Sequence, residues 1–484
     1  MPYFVWSLPL LAVALCMASG RVNSMTAGLC GGLLAAAVAL WAAPVAVAPL
    51  GLLLAVGKGL WLAWLVIAVI LSGLFFREVV SSGSPQPSAA APADALQMRQ
   101  RVFFACFPVG RFAEAATGFG VGQVTTIAML QATGLPNLHV VLLGLFSQVL
   151  VSWGAMANGT VVGAAFAGLP ARDLGIHSAP LSAPLLFGWL VLFWRMTARA
   201  GLTNSVRNSL GELAILAIAV VLLIAANAQF GPEIAGMAAL APLIILQFWR
   251  DERPDTARWR AVLRIGLPYG LLIGGLAASR GIPFLNEWLR GAAAVHPFAG
   301  VPAWFPLLHP GSWLVAVGLA TAMLTGRATD LPRALRMTWT RGRNAAMTIA
   351  VYLVLAQIMS DAGMAAALAS GLGAAFGPGA IIATRWLAGA FGFLTGSSNA
   401  SNGLLMASQV NLSASAAVPA VWIAALQNSA AAALTMLSPA RIAMGCALVK
   451  EKDLETVVYR MGWPLGAVPL IILSLLASIW VALA

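Results

Sequence analysis

Charge is scarce in this chain: only 9% of its 484 residues are Asp, Glu, Lys or Arg, and just 15 are acidic. Soluble domains carry about 25% charged residues, so a water-facing surface over most of the length is excluded. Cysteine is sparse too. Cys16, Cys30, Cys106 and Cys446 are scattered through apolar stretches without metal or redox spacing, which argues for small core residues rather than a disulfide scaffold. His139, His177, His296 and His309 form no paired motif on one helix face, so an intramembrane metalloprotease and a bound metal are not expected. Lysine occurs only at Lys58, Lys450 and Lys452.

Apolar residues fill the space: 61% of the chain is hydrophobic and the mean hydropathy is +0.90. This composition describes an all-α polytopic membrane protein, with the lipid bilayer as its surroundings and no signal peptide to remove. The net charge of +12 lies mostly in short loops between apolar spans, which is a topology signal and not a nucleic-acid surface.

The stretch 110–122, Gly-Arg-Phe-Ala-Glu-Ala-Ala-Thr-Gly-Phe-Gly-Val-Gly, places two opposite charges inside an apolar run. A carboxylate at the bilayer centre costs roughly 2.5 to 3.5 kcal/mol on insertion scales, so Glu114 is expected to face protein or a water-filled cavity. Gly118, Gly120 and Gly122 each weaken a helix by roughly 1 kcal/mol and permit close backbone approach, which predicts a broken helix. Irregular backbone at membrane depth belongs where it is buried or lines a cavity.

In chain order, apolar spans are expected near 3–19, 25–43 and 60–76, with 47–56 too short to cross and Lys58 and Arg77 snorkelling at the ends of the third. Residues 81–97 read as a flexible, solvated linker. Then come the first broken segment (102–131) and a span at 138–169 dotted with Gln148, Ser152, Asn158 and Thr160. Further spans fall at 181–194, 213–229, 235–248, 261–277 and 312–324. The basic loops 195–207, 250–264 and 327–343 are separated by two spans each and share one side, the cytoplasmic one. That leaves 281–310, rich in Pro, Trp and Phe, outside, with Trp304 and Trp313 suited to an interfacial belt.

Spans at 349–359, 381–394 and 421–437 follow, and 395–402, Thr-Gly-Ser-Ser-Asn-Ala-Ser-Asn, reads as a second unwound segment within a motif spanning 392–409. Ser438-Pro439 should end a helix, and a final helix covers 465–482. The chain thus divides into halves, 1–230 and 231–484, each with a broken segment followed by a polar-spotted helix. This pairing points to a transporter site and to an internal repeat of about twelve transmembrane helices, plausibly inverted.

At these residues the sequence resembles the lactate permease family of bacterial L-lactate and glycolate carriers. The family pattern Gly-Ala-Phe-Leu-Glu-Gly-Ala-Ala-Gly-Phe-Gly is matched at Gly110, Phe112, Glu114, Ala116, Gly118, Phe119 and Gly120. Ser152-Trp153-Gly154-Ala155-Met156 resembles its Phe-Gly-Ala-Met stretch, and Gly363-Met364 its Ser-Gly-Met turn. Phe393 to Ser397 with Asn402 and Leu404 resembles Phe-Leu-Thr-Gly-Ser-Asp-Thr-Ser-Ser-Asn-Ala-Leu, and Asn428, Ser429, Ser438, Pro439 and Ile442 fit the next block. Ser398 stands where the family has an acid and Arg111 where it has Ala; Ala113, Ala115 and Thr117 replace Leu, Gly and Ala.

The resemblance implies a secondary carrier of small 2-hydroxymonocarboxylates in a bacterial inner membrane, working by alternating access, with a homodimer conceivable and no cofactor beyond the coupling ion. Anion recognition is expected at two half-helix N-termini. One comprises Thr117, Gly118, Phe119 and Gly120; the other comprises Thr395, Gly396, Ser397, Ser398, Asn399, Ser401 and Asn402, with Gln427 and Asn428 beyond it. Arg111 or Arg385 could pair the carboxylate. Glu114 is the first choice for proton coupling, unless Arg111 neutralises it as a fixed pair. Sodium coupling with the Ser and Asn cluster as oxygen ligands, a passive channel, and a membrane-embedded enzyme using Glu114 and a serine are the alternatives; the last lacks a nearby His base.

Overall fold

The computed structural model describes residues 2–81, 94–202 and 204–483, and among them the secondary structure is helical apart from one isolated bridge, Val295 to Trp304. In order come α1 (Pro2–Ala18), α2 (Ser24–Trp41), α3 (Pro49–Ser81), α4 (Ala95–Phe104), α5 (Gly110–Thr117), α6 (Val121–Gln131), α7 (Asn137–Gly144) and α8 (Gly154–Ala167). There follow α9 (Ala171–Arg199), α10 (Val206–Phe230), α11 (Pro232–Glu252), α12 (Thr256–Gly281), α13 (Pro283–Ala292), α14 (Pro310–Leu324), α15 (Leu331–Asp361) and α16 (Met364–Phe376). The chain closes with α17 (Ala380–Thr395), α18 (Ser398–Asn411), α19 (Ser413–Ala416), α20 (Ala420–Ala433), α21 (Pro439–Leu448), α22 (Glu455–Gly462) and α23 (Pro464–Leu483).

Short polar residues start many of these helices. Asn23, Asp94, Ser205 and Asp255 each accept a hydrogen bond from a backbone N–H of the first turn, relieving donors that apolar surroundings could not. Among the described residues, ten helical stretches are long and apolar enough to cross a membrane, or eleven if the bent pair Asn137–Gln148 and Val151–Ala167 counts as one span. Two more, α1 and α14, are apolar but shorter. A multi-pass membrane protein is the direct reading, since exposed Leu, Ile, Trp and Phe side chains recur along these spans.

The longest helices, α3 and α15, pack antiparallel and are pinned at both ends. Lys58 Nζ lies 3.1 Å from Asp361 Oδ2 at one end, and Arg341 pairs with Glu78 at the other. Lys58 thus sits within α3 and pairs with a half-buried acid of α15, and all but the first two residues of the expected short segment at 47–56 belong to α3. Of the expected linker 81–97, residues 82–93 lie outside the described residues; at its edges Ser81 closes α3, while Asp94 caps α4, which makes 95–97 helical.

A buried pair locks α4 to α10. Arg99 donates to both carboxylate oxygens of Glu212 at 3.1 Å and to Thr197 at 3.0 Å, and the Trp194 indole also donates to Glu212. The fork geometry and the extra donors satisfy both charges where water is absent.

Candidate functional site

The first break follows the glycines. Residues 105–109 form a π turn, α5 ends at Thr117, Gly118 and Gly120 take positive φ of 71° and 81°, and α6 returns antiparallel to α5. Ala105 O accepts from Thr126, and a Cβ on Gly122 would sit 2.3 Å from Gly110 O, so the two arms form a tight hairpin. Phe119 at the tip is also left-handed, at φ 55°.

Glu114 is buried and folds back onto this tip. It accepts from the backbone N–H of Gly120 at 3.2 Å and of Gly122 at 3.0 Å, and from Arg441 Nη2 at 3.3 Å. The N-terminus of α6 was expected to offer donors to a substrate at 117–122. Instead the protein's own carboxylate occupies them, because it hangs one turn upstream on the facing arm. Thr117 spends its hydroxyl on Ala113 O.

Arg111 does not pair with Glu114. Its guanidinium lies over the Phe107 ring, 4.3 Å from the centroid, and all three side-chain nitrogens are buried without an acceptor. A cation so placed keeps a ring-face attraction but lacks the hydrogen bonds that burial normally demands.

The second break is shorter than the sequence suggested. Only Gly396 (φ 64°) and Ser397 interrupt the helix, and α18 begins at Ser398, so 398–402 is its first turn and not an unwound run. Ser397 caps that turn from its own side chain, and Thr395 donates back to Phe391 O. Ser401 donates to Ala388 O at 2.8 Å and Arg385 donates to Gln409, which makes α17 and α18 a second antiparallel hairpin. Arg385 also donates to Ile381 O, Ile423 O and Thr384. It lies 11 residues from the tip, about 16 Å along the helix, and serves as the hairpin's clasp; the expectation that it reaches the substrate at the tip does not fit this position.

Both tips lean on α8. A Cβ on Gly118 would meet Ala155 Cβ at 2.4 Å, and one on Gly159 would meet Ser398 Oγ at 2.4 Å, so the two breaks converge within four residues of one segment. Between them the backbone is unusual: Ala155, Met156 and Ala157 form a left-handed turn with φ of 47°, 55° and 58°. Left-handed alanines cost roughly 1–2 kcal/mol each, and such strain persists only where the surroundings over-determine it. Here Thr160 donates to Ser152 O at 2.6 Å across the turn, and Trp153 donates to Asn227 at 3.2 Å.

A polar network ties the second hairpin to this segment. Asn402 donates to Gly159 O and to Asn428 Oδ1, both at 2.9 Å, while Asn428 donates to Thr160 at 3.0 Å and Ser178 at 3.1 Å. Helix α21 meets both tips as well, through Ser438 against Gly396 and Arg441 against Gly120. Around this meeting point Asn399 Oδ1, Asn402 Oδ1, both amide atoms of Gln427, Ser438 Oγ and Arg441 Nη1 are buried without partners. Native proteins leave few such atoms, so a cluster of them marks a candidate place for a ligand's polar groups.

Sequence reasoning missed Arg441 and the left-handed turn. Arg441, three residues after Ser438-Pro439 in an apolar helix, was visible as an isolated intramembrane cation. Alanines with positive φ leave no compositional trace. Ser438-Pro439, expected to end a helix, closes the 3-10 turn Thr435–Leu437 and at the same point begins α21 with Pro at its first position.

Residues 303–484 match the family model described as L-lactate permease. This C-terminal part is thus similar to the L-lactate permease family. The match takes in the second hairpin and Ser438 to Ile442, two of the blocks that carry the resemblance, and leaves out the stretch 110–120. Across the longer chain, the L-lactate permease of Salmonella typhimurium is 25% identical over 457 residues, covering 82% of this chain and 81% of that protein. Among solved structures, that of the Alcanivorax borkumensis YdaH transporter overlaps 96% of this chain and 99% of its own at a TM-score of 0.47 and 14% identity. These permease relatives indicate a transporter rather than an enzyme.

Proposed function

We propose that this chain is a secondary active transporter of small 2-hydroxymonocarboxylates, L-lactate and glycolate foremost, acting in the bacterial inner membrane by proton symport. The observation that carries the reading is the convergence of two helical hairpins on the strained turn of α8, with unpartnered polar atoms gathered around it. A 2-hydroxy acid offers what those atoms lack. Its carboxylate suits a guanidinium, from Arg441 or the unpaired Arg111, and its hydroxyl can donate to the amide oxygens of Asn399 or Asn402.

Coupling is assigned to Glu114. Its three partners are obligate donors, so a proton on the carboxyl displaces one of them, and Arg441 is the partner that can swing away. The freed guanidinium then receives the substrate carboxylate, and proton and anion move together with no net charge. Alternating access follows from the hairpins: with basic loops inside, α5–α6 enters from the cytoplasmic side and α17–α18 from outside, the arrangement of an inverted repeat relating 1–230 to 231–484.

Sodium coupling is the second reading, favoured by the amide oxygens of Asn399, Asn402 and Gln427, buried acceptors that a cation would satisfy. Counterflow tests the carrier itself: proteoliposomes loaded with unlabelled L-lactate should transiently concentrate external labelled lactate. Simple equilibration without an overshoot would mean a channel, and no flux at all would reject this substrate class.

A further inference from the structure

Outside the hairpin site, the structure contains a cavity of about 210 Å³ between α3, α8, α12 and the segment running from α13 to α14. It is more than ten times the roughly 15 Å³ that one water requires. Its chemistry is graded from mouth to floor. Arg290 is exposed at the rim with its guanidinium over Phe305, 4.7 Å from the ring centroid. Deeper, Arg280 lies mostly buried; one of its terminal nitrogens donates to Leu308 O at 3.1 Å and sits 3.5 Å from Glu233, while the other is buried without a partner. His309, also lining the cavity, bonds Leu65 O through Nε2 and leaves Nδ1 unpartnered.

The floor is formed by Met156 and Asn158. These two residues lie between Ala155, which the first hairpin tip touches, and Gly159, which the second touches. The cavity therefore ends on the one segment that both tips share.

We propose that this cavity is the outward access site for the transported anion, in which Arg290 and Arg280 capture a small carboxylate and pass it to the α8 turn. The inference rests on the carrier reading given above and adds to it the route and the first binding step. One arginine at the rim and a second, half-neutralised, at depth form a short positive funnel, which raises the local anion concentration. Glu233 keeps Arg280 from binding the anion too tightly to release it. With its Nε2–H donating to Leu65 O, His309 leaves Nδ1 to accept from a hydroxyl, and the amide of Asn158 offers a further hydrogen bond along the way.

Two measurements test this. In right-side-out vesicles, Arg290→Glu and Arg280→Gln should each raise the KM for external L-lactate at least fivefold, with the maximal rate within about twofold of wild type and with a weaker dependence on ionic strength for Arg290→Glu. Separately, Ala303→Cys, which places a thiol in the cavity wall, should react with a membrane-impermeant maleimide more slowly when L-lactate is present, after subtraction of the wild-type background. Wild-type transport with an unchanged KM in both arginine variants and no protection of the thiol would overturn the access site and leave the carrier standing. Protection of the thiol by lactate in a protein that does not transport it would uphold the site while the carrier reading fails, and neither protection nor transport would sink both.

Discussion

Gly118 carries two constraints at once, a φ of 71° and a neighbouring Ala155 Cβ too close for any side chain. Gly118→Ala is expected to lower stability by about 2 kcal/mol or more, combining left-handed strain with overpacking. Gly168, with a similar φ of 65° and open space around it, is the control: Gly168→Ala should show only the smaller backbone cost in a detergent melt. Equal losses would mean that the tip does not bear on α8. At Glu114 the expectation concerns coupling. Glu114→Gln turns an acceptor of three donors into a group that must present an amide N–H to at least one of them, and pH-driven accumulation should fall at least tenfold while lactate exchange continues. Wild-type accumulation in this variant would remove Glu114 from the coupling scheme. The importance of Glu114 was legible because a buried acid among glycines has few structural excuses; its actual partner was not, because 327 residues separate it from Arg441 and only the folded hairpin brings them together.

At the scale of elements, the hairpins are held by different chemistry. The first closes through glycine contacts and its own carboxylate, the second through side-chain amides that reach another part of the chain. Asn428→Ala removes the hub of that second set, leaving Thr160, Ser178 and Asn402 short of partners in a dry interior, at about 1–3 kcal/mol for each group left unsatisfied. Lactate uptake should drop severely while protein remains extractable and folded; unaltered uptake would show that the second hairpin needs no anchor at α8. By contrast Arg99→Ala, far from the tips, strands buried Glu212 and is expected to cost about 3–5 kcal/mol of stability, read as a lower melting temperature. Helix starts carry capping residues at Asn23, Asp94, Ser205 and Asp255. The second break was overestimated because Ser and Asn read as loop formers, yet one glycine in the left-handed region suffices to turn the chain and Ser397 caps the helix that follows.

For the whole molecule, composition carried the all-helical, multi-pass character, since apolar length is a property of sequence alone. What it could not carry is the meeting of both hairpins on α8, which depends on side chains from distant segments and on a left-handed turn that no residue type announces. The account stands or falls on gradient-driven transport. Purified protein in proteoliposomes should accumulate labelled L-lactate when the interior is alkaline relative to the exterior, with sodium absent from both sides. Accumulation driven only by an inward sodium gradient at equal pH, or none under either gradient from protein shown to be folded, would contradict it.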